Sequence, residues 1–262
     1  GGDKLATPLA ASGIDVSGRV ALDIGASTGG FTDCLLQEGA ALVVAVDVGY
    51  GQLAWSLRQD ERVHIMERTN ARHLEPADLP PLPAPPSLLV MDVAFIGVGK
   101  VLPAVTRLCA PGADALVLVK PQFETGPAQV EKGGVVRDAQ VRRDAITGVS
   151  ESAQSLGWSV VAAHASPLRG PAGNWECFLQ LRLDSGASHV EDWLEQLDVP
   201  QMPVDEHVHV PVQVHVGGQH VEGAVLAHAC GRLAVDRLPH EGHLQIKGQW
   251  RGGSEWEGSP IA

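Results

Sequence analysis

The sequence predicts an α/β protein built on a Rossmann-like, doubly wound, mostly parallel sheet with a C-terminal extension. Three observations predict it. Strand-like and helix-like stretches alternate about every 20 residues through the first part of the chain, the pattern of successive βαβ units. The apolar runs are short and nearly unbroken, as strands covered on both faces should be. A glycine-rich turn, Gly25-Ala-Ser-Thr-Gly-Gly30, follows the first such run and opens a helical stretch. That arrangement lets backbone N–H groups approach a ligand without side chains in the way. In an open α/β sheet the ligand lies outside the carboxyl ends of the strands.

The elements follow in order. Lys4 to Ser12 reads as the end of a helix closed by Gly13, and Val20–Ile24 as the first strand around Asp23. Phe31 to Glu38 is helical. Ala41–Val46 is a second strand that ends on Asp47, with a helix over Leu53–Gln59. Val63–Met66 is a third strand, ending near Glu67-Arg-Thr-Asn70. Leu79 to Pro86 holds too many prolines for helix or ladder and must be an extended connection. Leu88–Met91 leads to Asp92, a helix covers Val98–Leu108, and Pro111-Gly112 stops it. Ala115–Val119 lands on Lys120-Pro121. A long amphipathic helix covers Asp138–Leu156, and strands at Ser159–Ala163 and Cys177–Leu183 flank the loop Pro167–Asn174. Trp55 and Trp158 are expected in the core.

A chain of 262 residues can bury one sizeable α/β core with something appended. Aromatic residues make up only 4% of it, so Val, Leu, Ala and Ile must fill that core. Cys34, Cys109, Cys177 and Cys230 are widely separated, which suits buried free thiols in a reducing cytoplasm better than a zinc site or a disulfide framework. No apolar run reaches the roughly 18 residues that a bilayer span needs. The chain opens on Gly1-Gly2-Asp3-Lys4 without an initiator Met, so a preceding segment is expected.

The net charge of −12 disfavours a nucleic-acid partner. Its distribution tempers that reading. The stretch from Ser185 onward holds 11 of the 31 acids but 4 of the 19 Lys and Arg residues, which leaves the first part only mildly acidic. Composition thus divides the chain into a first domain, 1–184, and an extension, 185–262, expected as a small module or poorly ordered. Eight of the eleven His residues fall in the extension. Val208 to Val216 alternates like an edge strand, with Gly217-Gly218 as a hairpin turn. Gly248 to Ala262 shows no periodicity. His at alternate strand positions without Cys or acid partners is more often solvent-facing than metal-binding, and no metal is expected. A frame shift near the end of the gene would also produce so odd a composition.

The glycine turn departs from a dinucleotide fingerprint, because Ser27 stands where the middle glycine should be. A pyrophosphate needs that glycine for its close approach. S-adenosylmethionine has no phosphate, and its amino-acid end needs mixed donors and acceptors. Asp23 suits the ammonium, Asp47 the ribose hydroxyls, and Asn70 the adenine. Gly25, Ser27, Gly29 and Gly30 form the turn, and Asp92 closes the site.

Asp92, in Val90-Met-Asp-Val-Ala-Phe-Ile96, and Lys120, in Val117-Leu-Val-Lys-Pro-Gln-Phe-Glu124, sit at the ends of predicted neighbouring strands. A structural salt bridge is the plain reading of such a pair. With Asp3-Lys4-Leu5, Asp23 to Thr32, Asp47 to Leu53, Glu67 to Arg72, Lys132 to Asp138, and Ser166-Pro through Gly170-Pro-Ala-Gly-Asn174 and Glu176, a more specific pattern emerges. These segments resemble the TlyA family of rRNA methyltransferases, often called hemolysin-like, within the FtsJ-like 2′-O-methyltransferases. The resemblance covers residues 1 to about 183.

It implies a catalytic tetrad, Lys4, Asp92, Lys120 and Glu176, and methyl transfer from S-adenosylmethionine to a ribose in ribosomal RNA, with cytidine preferred. It implies ribosomal RNA or ribosomal subunits as partners, no membrane, and a cytoplasmic location. A ribose hydroxyl is a weak nucleophile at neutral pH, so a lysine must take its proton. That role falls to Lys120, with Asp92 and Glu176 setting its position and Lys4 orienting the ribose or stabilising the oxyanion. Arg68, Arg72, Lys132, Arg137, Arg142 and Arg143 could line an RNA path, although Arg142 and Arg143 also read as an ordinary charged helix face.

The family carries an RNA-binding domain ahead of this region, which the chain as given lacks. Ala94 replaces the family's usual Ser, and the extension has no counterpart. A small-molecule O-methyltransferase on the same fold, or a membrane-acting hemolysin, are the alternatives.

Overall fold

The structure is a computed structural model describing residues 2–184, Val199, and the segments 208–216, 219–227, 233–235, 245–251 and 255–261. It divides into two compact units, one up to Met202 and one from Pro203.

The first unit is a seven-stranded sheet in the order β3-β2-β1-β4-β5-β7-β6. Its strands are β1 (Val20–Ile24), β2 (Leu42–Val46), β3 (Val63–Met66), β4 (Leu88–Met91), β5 (Asp114–Val119), β6 (Trp158–Ala165) and β7 (Cys177–Leu183). Strands β1 to β5 are parallel, and β7 runs antiparallel to both of its neighbours. The chain moves outward from β1 to β3 and then returns to place β4 on the other side of β1. This reversal opens a crevice at the carboxyl ends of β1 and β4.

Alternation along the strands sends side chains to two cores. Leu22, Ile24, Val44, Val46, Leu89 and Met91 face one side, with α4 (Leu102–Thr106) and α6 (Ala139–Ser155). Ala21, Val43, Ala45, Leu88, Val90 and Leu116 face the other, with α1 (Gly2–Ser12) and α2 (Gly30–Gln37). Asp114 opens β5 as a buried acid and is balanced by Arg19 at 2.7 Å and Arg182 at 3.0 Å. Cys34 and Cys177 are buried free thiols, Cys109 is partly buried, and Cys230 lies outside the described residues.

Several elements differ from the sequence reading. The helix expected over 98–108 is a 3₁₀ turn, Val98–Lys100, followed by the short α4, because Pro103 in its first turn has no N–H to continue the ladder. The helix over 53–59 shrinks to α3 (Trp55–Arg58). Pro121–Glu124 forms one helical turn, α5, directly after Lys120. Trp158 is buried as expected, but Trp55 is 74% exposed at the start of α3, where Leu57 supplies the buried contact instead. Arg142, read as part of a charged surface or an RNA path, is fully buried. Its guanidinium donates to the carbonyls of Arg137 at 2.7 Å and Asp138 at 3.3 Å and lies 5.9 Å from the Trp175 ring.

In the second unit β8 (Val208–Val216) and β9 (Gln219–Ala227) pair antiparallel on either side of 217–218, and β10 (Leu233–Val235) adds to β9. β11 (Gln245–Arg251) pairs with β12 (Glu255–Ile261), in a region without visible alternation.

Phe178, the second residue of β7, is fully buried and lies 6.0 Å from Phe31 on α2. Phe178→Ala removes a side chain that two neighbouring strands cannot collapse onto. A loss of about 3–5 kcal/mol in urea unfolding is expected.

Candidate active site

Because β7 alone is antiparallel, its first residue lies at the same edge as the carboxyl ends of β1 to β5. Residues remote along the chain therefore share one rim: Asp23 and Gly25 at the end of β1, Asp47 after β2, Asp92 after β4, Lys120 after β5, and Glu176 just before β7.

The turn after β1 is built for close approach. Gly25 has φ +86°, its N–H donates to the Val46 carbonyl at 2.8 Å, and a Cβ there would lie 2.3 Å from the Asp92 carbonyl oxygen. Only glycine lets the exits of β1 and β4 touch. Ser27 adopts φ +50°, and its N–H donates to Asp47 Oδ2 at 2.8 Å, while the Gly49 N–H donates to Asp47 Oδ1 at 2.6 Å. Asp47 is thereby fixed across the turn. Asn70 accepts from the Arg72 N–H at 3.1 Å, which presents its amide at the start of the next turn.

A cleft of about 440 Å³ opens between these turns, walled by Gly25, Ser27, Asp47, Asn70, Asp92 and Phe95 among others. Small-molecule sites typically fall between roughly 300 and 1,000 Å³. Of the expected cofactor residues, Gly25, Ser27, Asp47, Asn70 and Asp92 reach the wall. Gly29 and Gly30 shape the turn into α2, where a Cβ on Gly29 would meet Leu57 Cδ1 at 2.2 Å. Asp23 is completely buried, with Oδ2 accepting from the Thr32 hydroxyl at 2.6 Å and Oδ1 without a hydrogen-bond partner. Burial, reinforced by the Asp92 and Asp47 charges and partly offset by Thr32, pushes its carboxyl up to about 7.

This donor set fits S-adenosylmethionine. Asp47 would accept from a ribose diol, Asn70 would meet an adenine edge, and the orphaned Asp23 oxygen with Asp92 makes the remaining end attractive to positive charge.

The lysines and acids beside the cleft form one chain of charges. Lys120 Nζ lies 2.5 Å from Asp92 Oδ1 as an ion pair, Lys4 Nζ lies 3.9 Å from Asp92 Oδ2, and Lys4 Nζ donates to Glu176 Oε2 at 2.5 Å. Glu176 is fully buried, and its second oxygen accepts from Gln122 Nε2 at 3.3 Å. Gly170 leaves room for it, since a Cβ there would lie 2.5 Å from Glu176 Oε1. All four expected catalytic residues converge. The ion pair of Glu176 is with Lys4, whereas the sequence reading had it steady Lys120.

Sequence reasoning missed Phe95 and Gln122. Phe95 is 92% exposed at φ +64° and packs 5.4 Å from Phe123. A bulky residue in left-handed backbone, three positions after a site acid, is strained and unsheltered. Tyr50 is likewise exposed, with the Arg68 guanidinium 4.1 Å above its ring. Arg72 and Lys132 are exposed, and Arg137 pairs with Glu131 at 3.4 Å. Among the described residues no cluster of three or more His, Cys, Asp or Glu is placed to hold a metal.

A sheet of this order, with acids tipping the strands on either side of its reversal point, defines a Rossmann-like methyltransferase. The chain belongs to the FtsJ-like methyltransferase family, which matches residues 1–183. It is 54% identical over 182 residues to the 16S/23S rRNA (cytidine-2′-O)-methyltransferase TlyA of Mycobacterium tuberculosis, covering 70% of this chain and 67% of that protein. It is 39% identical over 175 residues to Hemolysin A of Brachyspira hyodysenteriae, covering 67% of this chain and 72% of that one. A solved Lactococcus lactis protein, described only provisionally as a hemolysin, superposes with a TM-score of 0.69 at 40% identity, over 74% of this chain and 95% of the other. The chain thus spans about two thirds of the length of the M. tuberculosis relative.

Lys4→Met strands the Glu176 charge away from water and should cost about 3–5 kcal/mol in denaturant unfolding. Adding Glu176→Leu should recover a large part of that loss, which a double-mutant cycle measures.

Proposed function

We propose that this chain methylates a ribose 2′-oxygen of ribosomal RNA with S-adenosylmethionine as donor, and that cytidine is the nucleotide it prefers. The observation that carries this reading is the chain of charges from Lys120 through Asp92 and Lys4 to Glu176 beside the acid-tipped cleft. The name of the M. tuberculosis relative supports the substrate and the base.

When bound, the cofactor supplies an electrophilic methyl group. The protein's work is to bring the hydroxyl to it and remove the proton. Lys4 contacts two carboxylates and Lys120 one, so Lys4 is the lysine held as a fixed cation, and Lys120, once it has passed its own proton to solvent, is the amine that accepts the hydroxyl proton. The fixed ammonium of Lys4 stabilises negative charge as it develops on the oxygen. Asp92 touches both lysines and keeps them at the separation that the ribose needs. Glu176, held by Gln122 and backed by Gly170, aims Lys4. In-line placement of oxygen and methyl is then a matter of proximity.

Phe95 offers an exposed ring on which a nucleobase can stack, and Arg72 adds positive charge on the same cleft. Residues 1–184 constitute the catalytic domain in this reading, with 185–262 as an extension, and the work is cytoplasmic. The hemolysin names of relatives have less support in this chain. The lysines and acids beside the cleft are groups that methyl transfer calls for, and no helix of the described residues is long and apolar enough to cross a membrane.

Tritium transfer from labelled S-adenosylmethionine to purified ribosomal subunits tests the proposal. Lys120→Met is expected to lower the rate by about 10²–10⁴-fold while cofactor affinity stays unchanged. Combining it with Asp92→Asn should add little, because the tetrad acts as a unit. Transfer to free catechols or nucleosides but not to subunits would favour the small-molecule alternative.

A further inference from the structure

The loop after β4 and the turn after β5 are joined by a series of contacts that run in step along both segments. Lys120 meets Asp92, the Phe123 ring packs 5.4 Å from that of Phe95, and Glu124 Oε1 accepts from the Val98 N–H at 2.7 Å. On one side the partners belong to Lys120 and the single turn α5; on the other they recur at 92, 95 and 98. Gln122, within the same turn, reaches Glu176 instead. Gly97 lets the last contact close, because a Cβ there would lie 2.8 Å from Glu124 Oε2 and 3.3 Å from the Phe123 carbonyl oxygen.

The loop needs these ties. Residues 92–96 all line the cleft, and Val93 and Ile96 are only partly buried against the core. Phe95 stands exposed at φ +64°, a backbone that a bulky residue keeps only where its surroundings over-determine it. The tie at Lys120 is not constant. In the reaction proposed above, Lys120 passes its proton to solvent before it takes one from the hydroxyl, and its attraction for Asp92 is weakest in between. The bond from Val98 to Glu124 involves a backbone N–H and does not depend on the charge of Lys120.

We propose that Glu124 is a positioning residue for the methyl transfer: by holding Val98 it fixes the 92–98 loop against the turn that bears Lys120, so that Asp92 and the Phe95 ring keep their places while the lysine changes charge. The inference rests on the reaction proposed above. Glu124 lies behind the cleft wall and acts through the loop. Burial raises its carboxyl above the ordinary carboxylate range, with the Val98 N–H and the Lys100 charge acting against that. The bond needs no negative charge, since a neutral acid or an amide also offers the N–H a carbonyl oxygen. Gln is therefore the conservative replacement, and Leu removes the acceptor while filling a similar space.

Amide hydrogen exchange of the full chain reads the tie without substrate. Glu124→Leu should speed exchange at Val98, while Asp92, whose N–H donates to the Ile24 carbonyl at 2.9 Å, keeps its protection. Single-turnover tritium transfer to ribosomal subunits, at saturating S-adenosylmethionine and at a temperature where the variant is fully folded, reads the consequence. Glu124→Leu should lower the rate by about 10²-fold, as a shift of roughly 1 Å in the reacting groups would. Glu124→Gln should keep most of the rate, and S-adenosylmethionine affinity by titration calorimetry should stay near that of the wild type. In a Phe95→Ala background the Leu change should cost much less, because the ring it positions is gone. Unaltered exchange at Val98, a wild-type rate in folded Glu124→Leu, a Gln variant as impaired as the Leu variant, or an equal loss with and without Phe95 overturns the proposal. So does a fall in cofactor affinity that matches the fall in rate, since damage to the cleft wall would then explain both. If the wild-type chain transfers no methyl group to subunits, the assigned reaction fails instead, a result distinct from transfer that ignores Glu124.

Discussion

Glu176 carries its charge where water does not reach, and Lys4 is the cation that makes this tolerable. The two residues are 172 positions apart, one in the first helix and the other at the entrance to the last strand of the sheet. A carboxylate so placed would be costly without a partner. It is accommodated because α1 docks against the sheet with its lysine turned inward, and because Gly170 and Gln122 hold the acid from the other side. The rest of the rim is arranged around that pair: Asp92 reaches the same ammonium, and Lys120 reaches Asp92.

The strand order explains how so few residues can build the site. In a wholly parallel sheet a residue preceding a strand would lie at the edge opposite the cleft. The reversal of β7 brings Glu176 to the working rim with no long excursion of the chain. At the centre, the missing Cβ of Gly25 lets the exits of β1 and β4 meet, so Asp92 and the glycine turn share one wall. Asp92, Lys120 and Glu176, and most of the cleft wall, thus come from strand ends whose positions the two cores fix, with Lys4 added from α1.

Much of this was legible in the chain itself. Strands β2 to β5 are largely apolar runs followed by an acid or a lysine, β1 carries Asp23 next to its last residue, and α6 shows a helical stripe capped by Asp138, whose side chain accepts from the Gln140 N–H. The meeting of Lys4, Asp92, Lys120 and Glu176 was readable only through the resemblance to a family, since spacing alone could not bring Lys4 and Glu176 together. What was not legible depended on tertiary packing. Arg142 looks like a surface cation until the carbonyls of residues 137 and 138 turn toward it. Trp55 looks like core, but one turn of helix can bury only one side, and Leu57 takes it. The exposure of Phe95 stems from a left-handed backbone that no local pattern announces.

The reversed strand also sets an order of events during synthesis. β6 is made before β7, yet among the described strands β7 is its sole neighbour in the sheet, so that pairing waits until residues 177–183 have left the ribosome. Lys4 waits longer still for its buried acid, on the order of ten seconds or more at ordinary elongation rates. The nascent chain can thus lay down its first five strands while the charge cluster remains incomplete. The cluster is completed in one late step, when a single antiparallel strand slides between two others and closes the circuit.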